Sequence, residues 1–236
     1  MVPQADELKR ALAHVLWIGG PPDSGKTTIT QLLADRYRLQ AYHFDRREKD
    51  HIRRADPARH PALHALGTDL RVLGERAWQE GYWVRRPVED MARGTIATWS
   101  ERVSLAVEDL LALPADRPIV AEGPGFFPAA ILLLLASPRQ AIWLVPSETF
   151  KRESHARRGK SAWRANLSDP ERAYRNHVER DLLLAEHYRW QARELGGPLI
   201  EVDGSRPVEE VAAAVEAHFA PLLPAARPAD DRASPI

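Results

Sequence analysis

Residues 14–28 read His-Val-Leu-Trp-Ile-Gly-Gly-Pro-Pro-Asp-Ser-Gly-Lys-Thr-Thr, and this stretch decides the fold. The opening His14 to Ile18 is nearly all apolar, as expected for a strand covered on both faces. Behind it, Gly20-Pro21-Pro22-Asp23-Ser24-Gly25-Lys26-Thr27-Thr28 matches G-x-x-x-x-G-K-[ST], the phosphate-binding loop. Gly20 and Gly25 let the backbone wrap and present its N–H groups to phosphate oxygens. Lys26 supplies a mobile charge near the β- and γ-phosphates, and the Thr27 hydroxyl is placed for Mg²⁺. A helix starting at Lys26 adds its N-terminal dipole. A glycine turn before a helix also arises by chance. The buried strand in front and the helix behind separate the two cases.

Further along, short apolar runs alternate with longer amphipathic ones, which predicts βαβ units and a mostly parallel sheet. The expected strands are 14–18, 40–44, 118–121, 141–145 and 199–202, with a first helix over 26–38. The interval 46–117 is too long for a simple crossover. Leu63, Leu66, Leu70, Leu73 and Ala77 recur at helical spacing, as do Ile96, Trp99, Val103, Val107 and Leu110/Leu111. A helical insertion is therefore expected, with a turn around Gly81 to Pro87. A basic helical segment is expected from Thr149 to Gly159, within a lid at 150–170. Ser168-Asp169-Pro170-Glu171 opens a helix that Gly196-Gly197 stop. A last helix covers 207–219. One domain over 1–220 and a disordered tail over 221–236 complete this organisation.

Of the 236 residues, 33 are Lys or Arg and 33 are Asp or Glu, so the formal net charge is zero. That balance argues against a bulk electrostatic nucleic-acid or membrane binder. No cysteine is present, which excludes disulfides, thiolate zinc sites and thiol nucleophiles. The apolar run Ile131 to Ala136 falls far short of the roughly 20 residues that span a bilayer. The N-terminus has no signal layout, so a cytoplasmic location is expected. The histidines show no spacing such as H-E-x-x-H, and no structural metal is assigned.

Neither asparagine, Asn166 nor Asn176, sits in an N-K-x-D motif, so a GTPase is not expected. The phosphate loop, the acid in His43-Phe44-Asp45, the basic segment after strand four and Val202-Asp203-Gly204-Ser205-Arg206-Pro207 together resemble the nucleoside-monophosphate-kinase-like group of small-molecule kinases. That group includes adenylate, shikimate and gluconate kinases and chloramphenicol phosphotransferase. The resemblance covers about residues 14 to 220, with the phosphate loop as its specific motif. It implies an α/β phosphate-loop fold, a five-stranded parallel sheet of order 2-3-1-4-5 flanked by helices. It also implies ATP with Mg²⁺, and a loop Gly204, Ser205, Arg206, Pro207 laid against adenine. The insertion departs from the compact members, so the acceptor is not inherited.

Asp45 ends a parallel strand at the edge where ligands bind. It can take a hydroxyl proton during in-line attack, or merely cap the strand or pair with Arg46 or Arg47. Glu122 falls where the resemblance implies a second acid that holds Mg²⁺ or aids the base. The two acids can also exchange roles, and Glu122 can be an incidental turn residue. Among Lys151, Arg152, Arg157, Arg158, Lys160 and Arg164, the resemblance implies that Arg152, Arg157 or Arg158 closes over the phosphates. A solvated face is the plain alternative. Arg180 suits either a phosphate contact or an ion-paired surface. Arg46, Arg47, Arg85 and Arg86 suit an anionic acceptor, and Trp78, Tyr82 and Trp83 a flat ring, although aromatics at this spacing also build cores. The leading expectation is transfer of the ATP γ-phosphate to a hydroxyl or phosphate of a small molecule. Its alternatives are a nucleotide-dependent switch with slow hydrolysis and a zeta-toxin-like nucleotide-sugar kinase.

Overall fold

A computed structural model of the chain describes residues 5–157 and 164–226. Helix α1 (Ala5–Ala11) leads into β1 (Val15–Gly19), α2 (Lys26–Tyr37) and β2 (Gln40–His43). The insertion holds α3 (Glu48–Arg54), α4 (Pro61–Leu73), α5 (Glu75–Gln79) and α6 (Val88–Ala112). Then come β3 (Ile119–Gly123), α7 (Pro128–Ile131), β4 (Ala141–Pro146) and α8 (Glu148–Arg157). Finally α9 (Pro170–Leu195), β5 (Leu199–Val202) and α10 (Val208–Phe219) complete the described elements. The strands pair in parallel in the order β2-β3-β1-β4-β5, the topology that the resemblance implies.

Alternation along β1 divides the core into two layers. Val15 and Trp17 pack with Val103, Ala106 and Leu110 of α6 and with Ala185 and Tyr188 of α9. Leu16 and Ile18 point the other way, onto Ile29 and Leu33 of α2 and Val211, Val215 and Phe219 of α10. All five residues of β1 are buried, which explains its unbroken apolar run.

Two expectations need correction. The turn expected at 81–87 is a single π-helical segment, Glu80–Arg85, closed by the Arg86 N–H on the Gly81 carbonyl at 3.0 Å. Arg86 is extended before Pro87, and α6 restarts there with Glu89 and Asp90 in its first turn. The first residues of the tail expected over 221–236 are packed on the fold. A 3-10 turn, Ala220–Leu222, continues α10, and Leu222 and Leu223 pack on the second core layer. Residues 227–236 lie outside the described residues. Among the described residues no helix is long and apolar enough to cross a membrane.

Trp143 of β4 is buried, and its indole N–H donates to the Phe126 carbonyl at 2.8 Å. Trp143→Ala leaves a large cavity and an unpaired carbonyl, so urea denaturation should show a loss of about 3–5 kcal/mol. A loss under about 1 kcal/mol, below that range, would contradict this packing.

Candidate active site

Parallel register brings the chemistry to one edge of the sheet. Ile18 lies beside Glu122, which lies beside His43, so the loop after β1, the end of β3 and the end of β2 are neighbours. The phosphate loop starts at Gly20 with φ 139° and ends at Gly25 with φ 84°, both outside the range comfortable for side chains. A Cβ on Gly20 would lie 2.0 Å from the Leu144 carbonyl oxygen, so glycine is required there. Pro21 and Pro22 have no N–H to offer an anion. The amides of Ser24, Gly25, Lys26, Thr27 and Thr28 lie at or beside the α2 N-terminus, where a helix leaves its first donors open. Lys26 folds its ammonium back over the loop, donating to the Pro21 carbonyl at 2.8 Å and to Ser24 Oγ at 3.2 Å. Burial lowers its pKa, against the pull of Glu122, Asp45 and Asp23.

Thr27 Oγ1 donates to Glu122 Oε1 at 3.2 Å, and His43 Nδ1 lies 2.8 Å from the same oxygen. A hydroxyl and a carboxylate so close form a hard oxygen pair that suits Mg²⁺, which fills its remaining positions with water and phosphate oxygens. Asp45 sits one residue past Phe44, and the two acids differ in environment. Glu122 is buried, whereas Asp45 is open to solvent yet has protein groups packed closely around it. That surrounding mass raises the Asp45 pKa; Lys26 opposes the rise and Glu122 adds to it. The sequence reading missed the group that fixes Asp45. Buried Arg102 of α6 donates to the Phe44 carbonyl at 2.7 Å, stacks 4.0 Å from the Phe44 ring and pairs with Glu48 at 3.3 Å. One signal was present: Arg102 interrupts the apolar stripe that runs from Trp99 to Val103.

Beneath the loop lies a buried chain of charges. Asp23, at φ 67°, turns its carboxylate inward onto the Lys151 ammonium at 2.6 Å. Lys151 also binds Asp181, whose other oxygen takes two bonds from Arg180 at 2.6 and 2.9 Å. Burial works to raise the Asp181 pKa, but Arg180, Lys151 and His177 outweigh it and hold it at about 2. Nearby, burial drives His177 down to about 3. Tyr188 of α9 ties this layer to the sheet edge by donating to the Pro124 carbonyl at 2.7 Å.

Several expected site residues are placed differently. Lys151, read as part of a basic lid, is a buried counter-ion. The Asp23 carboxylate, expected at the phosphate loop, is committed inward to Lys151. Arg152 is held on the surface by Glu148 at 2.8 Å and Glu179 at 2.9 Å, and Arg157 is exposed at the end of α8. Arg158 and Lys160 lie outside the described residues. Arg164 is buried, bonded to His155 at 3.0 Å and 5.0 Å above the Tyr174 ring. Arg180 is indeed ion-paired to its neighbour, but in the interior rather than on a surface. Arg47 is drawn off to Asp109 at 3.0 Å, and Arg46 lines a separate hollow with Gln40 and Leu113. Arg85 is a surface side chain 3.9 Å from Glu80. The Gly204–Pro207 loop stands at the same sheet edge. Gly204 has φ 83° and abuts Phe150, and Asp203 accepts from the Ser205 N–H at 2.9 Å and its hydroxyl at 2.6 Å.

Trp83 does face a cleft, of about 470 Å³, that opens beside Glu48. Glu48 is one helical turn from Asp45 and contributes to its raised pKa, so it links the cleft to the strand-end acid. Trp78, Tyr82 and Trp99 line it with Trp83, and Arg180 and Arg86 are at its walls.

No protein-family model matches the chain, and no curated protein matches it. Among solved structures, it is similar to the 1.70 Å crystal structure of a presumed kinase from Chloroflexus aurantiacus J-10-fl. The two are 19% identical; the match covers 87% of this chain and 98% of that one, with a TM-score of 0.38. The architecture described above rests on the strand order and loop geometry themselves.

The buried charges make stability pH-dependent in a defined direction. Between pH 6.5 and 3 the unfolded chain protonates His177 while the folded chain resists. The Asp181 contribution is present above its unfolded pKa and is lost as pH falls toward 2. Both terms weaken the fold in acid, each by up to about 1.4 kcal/mol per pH unit for a full proton. Denaturation midpoints at pH 7, 5 and 4 should fall steeply, and less steeply for His177→Gln. Parallel pH dependence in the two proteins would contradict this assignment.

Proposed function

We propose that the protein is an ATP-dependent phosphotransferase that moves the γ-phosphate of ATP to a hydroxyl group of a small molecule. The observation that carries this reading is one shared edge. A phosphate loop, a Thr27–Glu122 oxygen pair and an accessible acid of raised pKa stand side by side, and an open cleft begins at Glu48, one helical turn from the acid. A passive binder needs no such acid beside the phosphate site.

In this reading the loop amides and Lys26 hold the β- and γ-phosphates. Thr27 and Glu122 would hold Mg²⁺, which when bound neutralises charge on the phosphate oxygens. Gly204 to Pro207 flank the nucleotide base. Asp45 accepts the acceptor's hydroxyl proton as that oxygen bonds to the γ-phosphorus, and the bond from the γ-phosphorus to the β,γ-bridging oxygen breaks to release ADP. The raised pKa brings Asp45 nearer the range where a carboxylate takes a proton well. Arg102 holds the Phe44–Asp45 corner, so it positions the base. Because Arg152 is committed to Glu148 and Glu179 here, a lid role for it requires those pairs to open.

The test is transfer from γ-labelled ATP with Mg²⁺ into a fractionated metabolite extract. Lys26→Ala should bind ATP roughly ten- to a hundredfold more weakly, the value of a charge-assisted contact. Asp45→Asn should keep its ATP affinity while transfer falls about 10²- to 10⁴-fold. Tight ATP binding with no labelled product in any fraction, or full transfer by Asp45→Asn, would overturn the proposal.

A further inference from the structure

The cleft beside Glu48 has a composition that selects its occupant. Trp78 and Tyr82 stack with ring centres 4.8 Å apart and planes 14° apart. Trp83 meets Tyr82 at the same separation but at 83°, so it stands at right angles to the stacked pair as a corner, and its own ring also stacks on His177 at 4.6 Å, which leaves Trp78 as the stacking wall. The π-helical segment makes the corner. In an α-helix Trp78 and Tyr82, four residues apart, share a face, while Trp83 turns away. The wider π-turn brings positions five apart into line as well, and the Asn176 side-chain amide supports it by donating from Nδ2 to the Trp83 carbonyl at 2.8 Å.

Charge decides the rest. Arg180 is 4.7 Å above the Trp83 ring, but its charge is matched by Asp181 at 2.6 Å. Glu48 is matched by Arg102 at 3.3 Å. The two remaining charged groups of the cleft are both exposed and opposite in sign: Asp69, and Arg86, whose guanidinium lies 5.2 Å over the Tyr82 ring. The floor is therefore aromatic and electrically balanced, unlike the clustered arginines that recognise phosphate or carboxylate.

We propose that this cleft binds an uncharged planar aromatic or heteroaromatic alcohol, stacked on one wall with its edge against the other. The inference rests on the phosphotransferase reading only in making this molecule the acceptor, with its hydroxyl toward Asp45. Stacking on tryptophan and tyrosine favours a flat ring, and a neutral floor gives an anion no compensation for its lost hydration. The volume is of the size that holds such a molecule.

Isothermal titration without nucleotide tests this. The probes are thymidine, inosine, cinnamyl alcohol and vanillyl alcohol, each against thymidine monophosphate, inosine monophosphate, cinnamate or vanillate. Nucleosides and aryl alcohols thereby form separate arms. Saturable binding is expected for at least one alcohol, at least tenfold tighter than for its anion. Trp83→Leu and Trp78→Leu should each weaken it at least tenfold, with far-ultraviolet dichroism unchanged. Trp190→Leu, an exposed tryptophan on α9, should leave it unaltered. Equal or tighter binding of the anions, no saturable binding by any alcohol, or indifference to both cleft variants would overturn the inference. Alcohol binding in a protein that transfers no phosphate would overturn the phosphotransferase reading and leave the cleft intact. Phosphate transfer to a charged acceptor would overturn this inference alone.

Discussion

Everything at the reactive edge depends on the parallel register of three strands. Ile18, Glu122 and His43 lie side by side across β1, β3 and β2, and this places Glu122 beneath the loop that follows β1. Because side chains alternate in a strand, a slip of one residue would turn Glu122 to the opposite face and bring Ala121 or Gly123 to its place. The Thr27–Glu122–His43 link would then be lost. The register is protected by burial on both faces, where any slip exposes or overpacks an apolar layer.

A second constraint runs below the loop. Asp23 holds a left-handed backbone conformation, which is costly for a residue with a side chain, and its carboxylate is fixed by Lys151. Lys151 in turn joins Asp181, which binds Arg180, and Arg180 reaches the aromatic cleft. Buried ions are weak contributors to net stability, since desolvation offsets most of their attraction. Removing one partner is a different matter, because it leaves the others buried and unpaired. The chain of charges thus fixes the conformation of the loop and the wall of the cleft together, at the expense of resistance to acid.

The sheet and most helices were legible in the sequence because they follow local rules. Unbroken apolar runs gave β1 and β4, and Pro170 with Gly196 bounded α9. The phosphate loop was legible because its chemistry is contiguous in the chain. Asp45 and Glu122 could be singled out as strand-end acids, yet their different environments come from tertiary packing. The basic segment after β4 was misread because composition does not say which lysine turns inward: Lys151 meets Asp23 and Asp181, which are distant in sequence. Arg102 carried a faint signal as the charged break in an apolar stripe. The π-segment carried none, because Gly81 before two aromatics looks like a turn. Its helical continuation depends on α9 packing against it.

The central claim is that one edge of the sheet holds the nucleotide phosphates with an acid facing the transferred group. A crystal structure with Mg²⁺ and a non-hydrolysable ATP analogue examines it most directly. The account predicts the triphosphate on the amides of Ser24 to Thr28, the metal on Thr27 Oγ1 within reach of Glu122, and the γ-phosphate facing Asp45 at the mouth of the tryptophan-lined cleft. An analogue bound elsewhere, or a γ-phosphate directed away from Asp45 and the cleft, would contradict it.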